Sequence, residues 1–409
     1  MRIMSSALVL AVFAVHASGV HAEETTEPSM VSFSGFGTVG AVKTNTDLGA
    51  YGIFPQEGGA RKKVDYGVDS KLGLQVSATP NSVFSLTAQI LTKRNGEGNW
   101  NPELEWGFAK IKLGKGFSAR VGRTGTPYFL VSDFRDVGYA NTWLRPPVDV
   151  YGQIPFSHLD GVDVSYQGSI GDTNVNAQVF TGSTSGKMFG GEAKLKSGVG
   201  FNASAEYGPV TLRLGHMQGK LNLSGNSGLD GLFAGLRQAG QSPGLEALVP
   251  LAEELDTSDK AASFSGIGLA IDWNDFVGTA EYTKRRVDAF FADTTGWYVT
   301  LGRRYGVWTP YVTISRLSQD SPISSSVIPT GIDPGLDQLA GGVNTLLASV
   351  GQKTAAVGLR WDARKNLAVK AQFDRIKVDT GGVGLFTDVK PGFGANPVNV
   401  YSLAVDFVF

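Results

Sequence analysis

The densest cluster of side chains able to act on a solute lies in residues 124–160. Asp133, Asp136 and Asp149 share that stretch with Arg135 and Arg145, among Pro127, Pro146, Pro147 and Pro155. These are fixed opposite charges on a backbone stiffened by proline. Such a set does not make or break bonds. It sets up an electric field that orients and sorts charged solutes. A carboxylate-bearing segment facing basic groups such as Arg120 and Lys93 would lay that field across a narrow opening. Nucleophilic chemistry is poorly served. The chain has no cysteine, and beyond residue 22 its only histidines, His158 and His216, lie in different segments. That argues against thiol chemistry, a His-based metal cluster and a Ser/His triad. No G-x-S-x-G elbow occurs.

The elements that must hold these charges read as β-strands. Tyr401, Leu403, Val405, Phe407 and Phe409 alternate with Ser402, Ala404 and Asp406. Phe201, Ala203, Ala205 and Tyr207 alternate with Asn202, Ser204 and Glu206. Successive strand side chains point to opposite faces, so each segment has one apolar and one polar row. Sixteen such segments run from 31–43 to 398–409. Most approach the 9–11 residues a tilted membrane strand needs. In 103–113 and 367–378 the alternation slips, as at a bulge.

The connections differ in length by side. Short turns at 79–82, 114–116, 171–173, 208–209, 274–275, 306 and 364–366 separate mostly longer segments, among them 44–69, 124–160, 183–197, 222–260, 318–351 and 379–397. Tyr207, Trp273, Phe276, Tyr305, Trp308, Trp361 and Phe409 sit beside the short turns, where an interfacial aromatic girdle belongs. The expected fold is all-β: a transmembrane, antiparallel, up-and-down β-barrel of about 16 strands, with the long third loop folded into the lumen. The polar rows then face water, with Arg213, Arg285, Arg360 and Lys370 on the lumen wall. Leucine spacing in 228–255 and 333–349 suits short amphipathic helices packing at the mouth or on each other.

Residues 1–22 read as a secretory signal: Arg2, an apolar run from Ala7 to Val15, and a small-residue cleavage site at Val20-His21-Ala22. The remainder, 23–409, reads as one barrel domain. Net charge over the whole chain is -1, with none of the basic excess of a nucleic-acid binder. Gly35-Phe36-Gly37-Thr38-Val39-Gly40 fits G-x-G-x-x-G, but it lies inside the first expected strand and opens no helix, so no dinucleotide site is expected.

The signal, the strand count, the long third loop and the run Tyr401 to Phe409 together resemble the general porins of Gram-negative bacteria, in particular a proteobacterial porin-like group. Gly122-Arg123 with Pro127, Val137-Gly138-Tyr139-Ala140 and Trp143-Leu144-Arg145-Pro146-Pro147 carry the resemblance within the loop. The enterobacterial Pro-Glu-Phe-Gly-Gly loop motif is absent. The resemblance implies an outer-membrane homotrimer without cofactor or enzymatic activity. It further implies contact with outer-membrane lipid and lipopolysaccharide, and recognition of Phe409 by the barrel-assembly machinery. It implies passive diffusion of small polar solutes, or a substrate-specific channel on the same barrel.

Overall fold

The computed structural model describes residues 30–188, 190–320 and 327–409. The expected signal peptide lies outside these residues. The chain forms sixteen strands: β1 (Val31–Thr44), β2 (Lys71–Ala78), β3 (Phe84–Lys93), β4 (Glu103–Gly114), β5 (Phe117–Gly125), β6 (His158–Ile170), β7 (Thr173–Met188) and β8 (Gly191–Tyr207). There follow β9 (Val210–Ser224), β10 (Lys260–Trp273), β11 (Phe276–Val287), β12 (Thr294–Arg303), β13 (Trp308–Gln319), β14 (Gln352–Arg364), β15 (Leu367–Val378) and β16 (Val398–Val408). Each strand pairs antiparallel with its sequence neighbours. The first and last then pair with each other, from Phe36↔Val408 to Thr44↔Val400, closing the barrel.

The outer surface is apolar. Val39, Leu74, Val121, Val179, Leu301, Val312 and Leu403 are each more than half exposed, and they all lie on the outward rows of their strands. A soluble sandwich would bury such rows; a barrel in hydrocarbon presents them to lipid. At the short-turn rim, Trp308 stacks on Trp361 at 5.4 Å and Arg303 lies over the rings of Phe276 and Tyr305. The glycines of the G-x-G-x-x-G sequence receive a definite role here. Gly35 and Gly37 leave room for the rings of Phe409 and Phe407 across the closing seam, where a Cβ would approach the rings within 2.3 and 2.4 Å. On the inner face, Gly122, Gly161, Gly182 and Gly198 lie side by side across β5 to β8. Gly122 has φ +122, and a Cβ on Gly161 would sit 2.0 Å from the Thr181 carbonyl oxygen. This row is a crease, and only glycine permits backbones so close.

Two expectations are corrected and one is met. Segment 183–197 is not a long loop: β7 and β8 run on to meet at Met188↔Gly191, because Met188, Ala193 and Leu195 bury an apolar row inside the barrel. The slip in 103–113 is a true irregularity, with Gln89 pairing Trp106 and Ile90 pairing Leu104. The slip in 367–378 is not. β15 alternates without interruption, and Ile376 and Val378 turn inward onto an apolar cluster with Tyr51, Val68 and Val400. The loop helices form as expected: α2 (Ser227–Ala239), α3 (Leu248–Leu255) and α4 (Pro334–Leu346) share a buried cluster of Phe233, Leu236, Leu248, Leu255 and Val343. In chain order they follow α1 (Val148–Tyr151), a single turn in the third loop.

Gly161→Val is expected to lower barrel stability by about 1–3 kcal/mol, the usual cost of overpacking. Urea unfolding in detergent measures it, and an unchanged midpoint would show that the crease tolerates side chains.

Candidate functional site

The third loop, residues 126–157, lies inside the barrel and is tied to the wall by cations. The Lys370 ammonium donates to the carbonyl oxygens of Gly138, Asn141 and Trp143 at 2.7, 2.7 and 2.9 Å. It also pairs with Asp406 at 2.9 Å, and both side chains are fully buried. Thr38 donates to the same Asp406 carboxylate at 2.6 Å, so one carboxylate joins β1, β15 and β16. Arg360 donates to the carbonyls of Tyr139 and Asn141, and Arg213 to that of Leu130. Arg285 donates to the carbonyls of Gln153 and Ala292. The four residues expected on the lumen wall each donate to backbone carbonyls, mostly of the loop, and Arg360 also donates to Asp362 at 2.9 and 2.7 Å. A loop without regular structure leaves carbonyls unpaired, and in a confined interior those carbonyls need donors.

Arg145 and Asp149, expected at the constriction, lie instead in the returning limb of the loop, packed against the wall. Arg145 donates to Asp69 at 2.8 and 2.7 Å, to Asp374 at 3.1 Å and to Ser402 at 2.5 Å. Burial works against its charge, and the two carboxylates hold the guanidinium well above its ordinary range. Asp149 is fully buried and accepts from Ser315 at 2.6 Å; burial pushes its carboxyl up. Glu281 binds the loop from the other side, accepting from the Leu130 N–H and the hydroxyls of Tyr151 and Tyr298.

The remaining expected residues lie apart from these anchors, around Asp136 and Arg120. The loop crosses the lumen so that Asp136 meets Lys71 at 3.3 Å and Lys93 at 3.2 Å, with Arg135 at 3.6 Å. Burial alone would raise its carboxyl; Lys93, Lys71 and Arg135 hold it well below the usual carboxylate range. Asp133 is exposed. Arg120 pairs with Asp163 at 2.9 Å and stands in register with Lys110 on β4. Among the described residues, the polar anchors above fall on β1 to β3 and β9 to β16. The inner faces of β4 to β8 carry Lys110 and two pairs along the wall, Arg120 with Asp163 and Asn202 with Gln178, in which Asp163 and Asn202 are buried. The mouth follows the same asymmetry. The helical cluster covers one side, and residues 45–70 with 379–397 cover another through Tyr51, Val68 and Phe386. Between them lies a hollow of ≈ 440 Å³ lined by Glu57, Glu97, Lys187 and Glu192 among glycines.

Lys71, Lys110, Asp69 and Asp406 were not singled out as site residues from sequence. Asp406 did stand on the polar row of its strand. Asp69 stood in an expected loop and carried no signal. One further departure concerns the wall itself. Near the mouth, β7 to β10 turn Met188, Leu195, Met217, Leu221 and Phe264 inward, against Tyr128 and Phe156 of the loop, around a cavity of ≈ 60 Å³.

This is the fold of outer-membrane porins. The chain is similar to an anion-selective porin from Comamonas acidovorans, with a TM-score of 0.53 at 13% identity over 93% of this chain and 99% of that one. It is similar to the outer membrane channel DcaP of Acinetobacter baumannii, with a TM-score of 0.52 at 11% identity over 93% and 97%. It also resembles the trimer form of OmpT, an outer membrane protein of Vibrio cholerae, with a TM-score of 0.51 at 13% identity over 93% and 99%. No family model and no curated protein matches the chain.

Arg145→Met leaves Asp69 and Asp374 buried without their cation and is expected to cost about 3–5 kcal/mol of stability. Unfolding in detergent reads this out; a loss below about 1 kcal/mol, the size of a surface pair, would mean the anchor is dispensable.

Proposed function

We propose that this chain is an outer-membrane diffusion channel for small hydrophilic solutes and ions. The observation that carries the reading is the division of the barrel: apolar rows outside, charged and amide rows inside, and a tethered loop that narrows the lumen without its polar anchors reaching β4 to β8. A barrel of sixteen strands is wide enough to hold water. The constriction comprises Asp133, Asp136 and Arg135 from the loop, facing Lys93 and Arg120 from the wall. Opposed charges there orient dipolar solutes and discriminate by charge. A homotrimer is the proposed assembly, supported by the trimeric form of the Vibrio cholerae neighbour. Lipid and lipopolysaccharide would meet the outer rows, and Phe409 at the end of β16 would be read by the assembly machinery. No enzymatic step enters this reading.

A second reading is a substrate-specific channel. The inward apolar patch on β7 to β10 favours it, because an apolar wall beside a water-filled path offers a solute a resting place.

Planar-bilayer recording of the purified protein decides between them. Diffusion predicts stepwise conductance in groups of three, linear in solute concentration. Saturable block by one class of solute would favour the specific channel, and a protein that inserts without conducting would refute both.

A further inference from the structure

The charges around the opening do not balance. Asp136 is one carboxylate against three cations, with Lys71 and Lys93 reaching it from β2 and β3 and Arg135 from the loop beside it. All four side chains are partly exposed: Lys71 14%, Lys93 32%, Arg135 17% and Asp136 18%. They are therefore neither sealed in the wall nor free in bulk water. Across β4 and β5 the sign is the same. Lys110 stands directly opposite Arg120, and among the described residues Asp163 is the acid beside them, already paired with Arg120. Adding the exposed Asp133 leaves five cations against three carboxylates. Of the acids described above, Asp69 and Asp374 are engaged with Arg145, Asp406 with Lys370, Asp149 with Ser315, and Glu281 with two tyrosines and the Leu130 N–H.

We infer that the opening is an anion station, where Lys71, Lys93 and Arg135 outnumber Asp136 and receive the oxyanion group of a passing solute. The inference rests on the channel reading and gives it a sign. Asp136 keeps the three cations together without cancelling them. An entering carboxylate or phosphate replaces water around the two lysines as a second counter-ion, held long enough to be selected and loosely enough to leave. The mouth has the opposite sign, with Glu57, Glu97 and Glu192 around Lys187. That hollow is wide, and at physiological salt its field fades within about 8 Å. The narrow station therefore decides the selectivity.

The test is the reversal potential of the purified protein in planar bilayers, in gradients of potassium chloride and then potassium acetate at about 0.15 M salt. Wild type is expected to pass the anion in preference to potassium. K93Q and K71Q are each expected to lower the anion preference by about threefold, the weight of one unit charge roughly 7 Å away in water. D136N is expected to raise it, and R135Q serves in place of either lysine variant that does not fold. Cation preference in wild type, or anion preference untouched by all four substitutions, overturns the station while leaving the channel. Absence of any conductance overturns the channel reading itself, and the station with it.

Discussion

Hydrocarbon offers no partner to a peptide N–H or C=O, and the architecture follows from that. Every backbone group at membrane depth must find its partner in the chain, so the sheet has to close on itself. The seam between β1 and β16 is where that requirement is met last, over the run from Phe36↔Val408 to Thr44↔Val400. Side chains at the seam are subordinate to it. Gly35 and Gly37 have no side chain because the rings of Phe409 and Phe407 must lie across them. The inner crease of Gly122, Gly161 and Gly182 has a related origin: the wall bends there until neighbouring backbones touch.

Inside the barrel a second requirement takes over. The third loop brings irregular backbone into a confined space, and its carbonyls need donors. Lysine and arginine on the wall provide them, with Lys370 serving three carbonyls at once. Charged donors are costly to bury, and the cost is tolerated because Asp406, Asp69 and Asp374 neutralise them at hydrogen-bonding distance. The basic side chains of the barrel thus divide by task. Those on β9, β11, β14 and β15 hold the loop, and Lys71, Lys93 and Arg120 on β2, β3 and β5 stay partly exposed.

The barrel was legible in the sequence because its rule is local. A period of two needs only the next few residues, and lipid enforces it on every strand, so Tyr401 to Phe409 could be placed face by face without a partner strand. The site was legible in part. Asp136, Lys93 and Arg120 stood out because loop position and row parity suffice to aim them at the lumen. Arg145 and Asp149 carried the same signals and went elsewhere, because their partners Asp69, Asp374 and Ser315 are brought near only by the closed fold. Row parity also mistook the inner wall for uniformly polar. Met188, Leu195 and Met217 face inward to pack on Tyr128 and Phe156, and Ile376 and Val378 onto Tyr51 and Val68; pattern alone does not reveal a loop resting on a wall.

The tethering of the loop also bears on time. A strap fixed by fully buried charges at Lys370 and by Arg145 at 3% side-chain exposure cannot swing without stripping those ions of their partners. What remains free to move are the tips of Lys71, Lys93 and Asp133, whose rotamer changes take picoseconds to nanoseconds. Such motion is far faster than the milliseconds over which hinged lids open, so in the proposed channel the bore would hold a steady average and electrical noise would come from side chains.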